Sequence, residues 1–89
     1  MPLRLQPHPD VTRTQVLAAA AGDAEARTWI AREFTPRVYR TCLAILKNET
    51  DARDATQETL LKALRKLHTV KEDGRFEAWL LQIARNTCY

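Results

Sequence analysis

One stretch of the chain, "DARDATQETLLKALRKL", sets Asp54, Gln57 and Glu58 around a single leucine, Leu61. Two carboxylates and an amide framing an apolar side chain suit a basic, partly apolar partner helix. Charge would steer the encounter and fix register, while the leucine would make the desolvated contact. The same residues also have a plain structural reading. Acids near a helix start complement the macrodipole, Asp51 and Asp54 fit a local capping pattern, and Glu58 to Lys62 is a favourable i,i+4 pair.

Catalytic chemistry finds no comparable grouping. There is no carboxylate pair in an evident cleft, no nucleophile with a base at useful spacing and no glycine-rich phosphate loop. His8 sits in a proline-rich opening without a companion ligand, and the helix dipole accounts for His68 at a helix C-terminus. The expectation is a protein that is not an enzyme and that holds no metal or cofactor. Cys42 and Cys88 stand far apart in sequence with no CxxC pair. One disulfide is possible in principle, but a helical, glycine-poor chain with no export signal points to reduced thiols in the cytosol. Cys42 falls in an apolar helical stripe and reads as a small core hydrophobe.

The elements that must hold these residues are helical. The 89 residues contain only two glycines, are 45% hydrophobic and 28% charged, and carry a net charge of +3. That suits one small soluble domain rich in helix formers, and no segment is a basic tail. No run is long or apolar enough to span a membrane, and "VLAAAA" is too short for a signal peptide, so the expected location is cytoplasmic.

The first 12 residues, with three prolines and no period, read as a flexible leader. "VTRTQVLAAAAGD" predicts a short helix ended by Gly22, and Asp23 then serves as N-cap of the next. Ile30, Phe34, Val38, Cys42, Ile45 and Leu46 keep one helical phase across Pro36. Thr35 could cap a fresh helix with Pro36 at its first position, or the proline could kink one long helix. "KNETD" makes a polar connection in which Thr50 or Asp51 caps the following helix, which runs to about His68. "HTVKEDGR" is a loop, and "FEAWLLQIARN" puts Phe76, Trp79, Leu80, Ile83 and Ala84 on one face of a last helix. The fold class is all-α, a small bundle of three to four helices with short loops.

Projected at about 100° per residue, Ala52, Thr56, Thr59, Leu60, Ala63, Leu64 and Leu67 share the core arc, with Asp54, Glu58, Lys62 and Arg65 opposite. Leu61 projects between Gln57 and Asp54, on the polar side.

"GDAEA", "DARDATQETLLKAL" and "FEAWLLQIARN", in this order and spacing, resemble the conserved core domain (region 2) of bacterial sigma-70-type factors, specifically the extracytoplasmic-function (ECF) group. The resemblance covers residues 21–89. It implies that Asp54, Gln57 and Glu58 dock, with Leu61 beside them, on the coiled coil of the beta-prime clamp of core RNA polymerase. It further implies that the last helix helps open the promoter and read its minus-ten element, mainly on the non-template single strand. Gln82, Arg85 and Asn86 are the DNA-facing candidates: Arg85 for a phosphate, the Asn86 amide for a base edge. They would serve equally well as a solvated helix end with a capping amide. Trp79 shares the apolar stripe, which favours core packing over base stacking. Arg27, Arg32, Arg37 and Arg40 read as a solubilising face, with phosphate or polymerase contact as the alternative.

An anti-sigma factor is a further partner that the resemblance implies, and a sigma-like decoy that titrates such a factor is the alternative function. The family's domain normally continues past the position of Tyr89 into a basic, base-selecting loop, and a second DNA-binding domain follows. On that pattern residues 13–89 are a truncated core-binding and promoter-melting domain, expected to bind polymerase weakly and to select promoters poorly.

Overall fold

The computed structural model describes residues 9–70 and 75–89. They form four α-helices: α1 (Pro9–Ala20), α2 (Ala24–Leu46), α3 (Glu49–Arg65) and α4 (Phe76–Cys88), with one 3-10 turn over Leu67–Thr69. No strand occurs among the described residues. The "KEDG" part of the expected loop lies outside them.

α1 starts earlier than the hydrophobic pattern indicates, at Pro9. Proline suits the first helical position because its fixed φ is already helical and its missing N–H would have had no partner there. The helix ends as expected. Gly22 adopts φ 104°, and the amides of Gly22 and Asp23 reach back to the carbonyls of Ala19 and Ala18 at 3.0 Å each. Asp23 then caps α2, its Oδ2 accepting from the Ala26 amide at 3.2 Å.

α2 is the central helix, packed against α1, α3 and α4. Its buried residues Ala26, Ile30, Phe34, Val38 and Cys42 recur every fourth position, a single stripe along one side. Pro36 sits inside this continuous helix, exposed, and does not start a new one. The Thr35 hydroxyl donates back to the Ala31 carbonyl rather than capping forward. The apolar stripe wins over the local break because the burial it provides runs on both sides of the proline.

The turn from α2 to α3 takes only two residues. Lys47 adopts a left-handed conformation (φ 56°) and donates to the Leu43 carbonyl at 2.8 Å. Asn48, not Thr50 or Asp51, is the N-cap of α3, with Oδ1 accepting from the Asp51 amide at 2.9 Å. An asparagine side chain is as good a cap as serine or aspartate, and its earlier position lets the helix begin at Glu49. α3 closes at Arg65, short of His68, where the chain tightens into the 3-10 turn.

The core face of α3 is made of small residues, Ala52, Ala55, Thr56, Thr59 and Ala63. The two buried threonines return their hydroxyls to the Ala52 and Ala55 carbonyls at 2.7 Å, so no polar atom is stranded. Leu60 and Leu64, expected on that arc, are half-buried at its margin. On α4, Phe76, Leu80 and Ala84 are buried, with Trp79 and Ile83 packed beside them. Rings chain from α2 to α4: Trp29 to Phe34 (6.3 Å), Phe34 to Phe76 (5.1 Å) and Phe76 to Trp79 (5.7 Å).

Candidate functional site

The outer face of α3 is fixed by what its inner face buries. With Ala52, Thr59 and Ala63 against the other helices, Asp54, Gln57, Glu58 and Leu61 are all turned outward and exposed. Leu61 keeps 55% of its surface in solvent, more than Val11 or Leu17, the exposed apolar residues of α1. The patch is thus a leucine standing clear of the core between two carboxylates and an amide. Glu58 Oε2 lies 3.1 Å from Lys62 Nζ, the i,i+4 pair expected from the sequence.

The second set sits on α4. Gln82 and Asn86 are exposed and Arg85 is half-buried. They bond to one another: Gln82 Nε2 donates to Asn86 Oδ1 at 3.1 Å, and the Arg85 guanidinium donates to Gln82 Oε1 at 3.4 Å. This network holds the amides in order on the surface while leaving further donor and acceptor capacity on each side chain.

Sequence reasoning did not find what joins the sets. Lys62, besides pairing with Glu58, donates to the Thr87 hydroxyl at 3.2 Å, and Thr87 donates to the Ile83 carbonyl at 2.9 Å. Nothing in the local sequence signals a contact between residues 25 positions apart. The length of the lysine stem is the only hint, since it lets a residue of the polar side reach a neighbouring helix.

The four arginines do not form one solubilising face. The Arg27 Nε donates to the Ala19 carbonyl at 3.1 Å, fastening the end of α1 to α2. Arg37 pairs with Glu77 at 2.9 Å while its guanidinium lies 4.9 Å from the centre of the Phe34 ring. Arg32 and Arg40 are exposed. Arg32 borders an open groove of about 440 Å³ on α2, lined also by Ala24, Glu25, Thr28, Trp29 and Glu33 and by no residue of either candidate set.

Among the described residues no three His, Cys, Asp or Glu side chains come together as a metal would need, and no helix is long and apolar enough to cross a membrane. The Cys88 thiol is pushed up to about 11 by burial and by its hydrogen-bonding neighbour Cys42.

Residues 30–89 match the family model described as Sigma-70 region 2. The chain is 33% identical over 84 residues to the ECF RNA polymerase sigma factor SigE of Mycolicibacterium smegmatis, covering 92% of this chain and 32% of that protein. It is 41% identical over 69 residues to the ECF RNA polymerase sigma factor BldN of Streptomyces coelicolor, covering 76% of this chain and 26% of that protein. The ECF RNA polymerase sigma factor SigW of Bacillus subtilis is 29% identical over 65 residues, with 73% and 35% covered. The chain therefore spans about a third of the length of these curated relatives or less. No solved structure matches. The three sequence blocks, the helical bundle that they build and the family match agree: the chain belongs to the sigma-70 family as a region 2 domain of the ECF group.

Proposed function

We propose that the outer face of α3 is a docking surface for the coiled coil of the beta-prime clamp of core RNA polymerase, and that α4 presents its polar edge to promoter DNA. In this reading the domain works through surfaces, in transcription initiation. Leu61 is the apolar anchor, and Asp54, Gln57 and Glu58 are the polar contacts around it. The observation that carries the reading is the exposure of Leu61, 55% accessible and framed by exposed carboxylates and an amide. A leucine that stands outside the core at no benefit to the fold, ringed by groups that match a basic helix, has the make-up of an interface anchor.

Gln82, Arg85 and Asn86 are the proposed contacts to the minus-ten element, chiefly as single strand. Their mutual hydrogen bonds support this role by pre-orienting the amides, so less rotamer freedom is lost when a base edge or phosphate replaces water. An anti-sigma factor that covers either surface is the proposed inhibitor.

The test is binding of the chain to a purified clamp coiled coil, with Leu61→Ala and Gln57→Ala alongside. Loss of binding in both variants at unchanged helicity is expected. A folded parent chain that fails to bind the coiled coil yet binds an anti-sigma factor would overturn the docking role in favour of a sigma-like decoy.

A further inference from the structure

Lys62 stands where the two proposed surfaces meet. It belongs to α3, and its ammonium lies 3.1 Å from Glu58 Oε2 and donates to the Thr87 hydroxyl of α4 at 3.2 Å. Thr87 follows Asn86 directly, so the ammonium reaches the end of α4 that carries the proposed base contact. The Thr87 hydroxyl donates onward to the Ile83 carbonyl, which leaves its lone pairs to the lysine and keeps the ammonium at α4. Basic residues continue beside it: Arg65 shares the last turn of α3 and Lys66 follows as its C-cap, both exposed. Glu58 is the last carboxylate of α3 before them.

A cation in this place can fasten two helices or meet a phosphate. An exposed i,i+4 ion pair fastens little, and the two side chains keep 38% and 59% of their surface in solvent. A lysine ammonium is, by contrast, a strong point charge for a phosphate oxygen.

We propose that Lys62 is a phosphate contact for the single DNA strand lying along α4, and that Glu58 masks it in the free domain. A lysine already paired with a carboxylate brings little net charge to a phosphate. When a cationic side chain of a docked partner takes the Glu58 carboxylate, the Lys62 charge is released, while Thr87 still holds it at the end of α4. Docking on α3 thereby strengthens the grip of α4 on DNA without any backbone change. The inference rests on the DNA reading of α4 and, for its trigger, on the docking reading of α3.

The experiment measures binding of a fluorescein-labelled, mixed-sequence single-stranded DNA to the full chain across a salt series. The proteins are the parent, Glu58→Gln, Lys62→Met and the double variant, each checked for helicity. In Glu58→Gln the slope of log K against log salt should steepen by about 0.7, as one added phosphate contact on a single strand requires. Lys62→Met should remove that gain in the double variant and change the parent slope far less. Glu49→Gln removes one charge from the exposed start of α3 instead, and should leave the slope unaltered.

An unchanged slope in Glu58→Gln, a gain that survives Lys62→Met, or an equal gain in Glu49→Gln would each overturn the masked contact and leave the α4 edge standing. A folded parent and Glu58→Gln that both ignore the DNA would overturn the DNA reading itself, and this contact with it. Saturating clamp coiled coil should steepen the slope of the parent but not that of Lys62→Met. A coiled coil that binds without that difference overturns docking as the trigger. One that does not bind overturns the docking reading, and the masked contact is then decided by the salt series alone.

Discussion

The Lys62 ammonium donates to the Thr87 hydroxyl at 3.2 Å while standing 3.1 Å from the Glu58 carboxylate, so a residue of the proposed clamp face is tied to α4 through one side chain. Lys62 and Glu58 are both substantially exposed, at 38% and 59% of their side chains, so this tie contributes little to stability in water and salt. Its effect is on arrangement: it holds the Glu58 carboxylate along the helix and sets how the ends of α3 and α4 meet.

Replacing Glu58 by lysine should therefore separate docking from folding. The substitution reverses a charge on the exposed face and sets it against Lys62, a like-charge i,i+4 pair that costs roughly 0.5 kcal/mol. The helical circular-dichroism signal and melting curve should stay close to those of the parent, while clamp binding falls below detection. A variant that binds normally would remove Glu58 from the contact.

An inner ring and an end ring of the aromatic chain should respond unequally to truncation. Phe34 is 1% exposed and touches the Trp29 and Phe76 rings, so Phe34→Ala leaves a cavity at the centre of the bundle and should cost about 3–5 kcal/mol. Trp79 is half-buried and stacks at a tilt on Phe76, so Trp79→Ala should cost less, roughly 2 kcal/mol, because part of that ring never left water. Urea unfolding of the two variants checks the order. Equal losses would mean that Trp79 is as much a core residue as Phe34.

How far the sequence could be read follows from the range of the forces involved. The outward turn of Leu61 and the inward turn of Thr56 and Thr59 were legible, because both depend only on phase along one helix. So were the Gly22 stop and the Asp23 cap, which are local backbone chemistry. The start of α1 at Pro9 and the Asn48 cap differed from the expectation by a few residues, since neighbouring polar residues compete nearly equally for the capping position. Arg37 with Glu77 and Lys62 with Thr87 were not legible at all. Each joins helices distant in sequence, and which rotation brings two helix faces together is decided by the whole core.

Gly22 offers a test of the α1–α2 corner. Its φ of 104° is one that a residue with a Cβ rarely adopts, although no neighbouring atom would obstruct the added carbon. Gly22→Ala should therefore destabilise the domain by about 1 kcal/mol through backbone strain alone. A smaller effect, or a gain, in chemical denaturation would show that α1 can re-form its end without the left-handed residue.

The thiol of Cys88 makes the stability of the domain depend on alkaline pH. Its folded-state value is raised from 9.0 to about 11, first by burial and then by the neighbouring Cys42 thiol. Between those two values the folded chain binds the proton more tightly than the unfolded chain does, so unfolding releases a proton there. By linkage, stability declines as pH rises through this window. The contribution is fully present below about pH 9 and lost by about pH 11. The informative quantity is a difference between two chains. Cys88→Ser keeps a small polar side chain that does not titrate there, and it should lose less stability than the parent between about pH 8 and about pH 10.5. Parallel curves for the two proteins would mean that the Cys88 proton is held no more tightly in the fold than in the open chain.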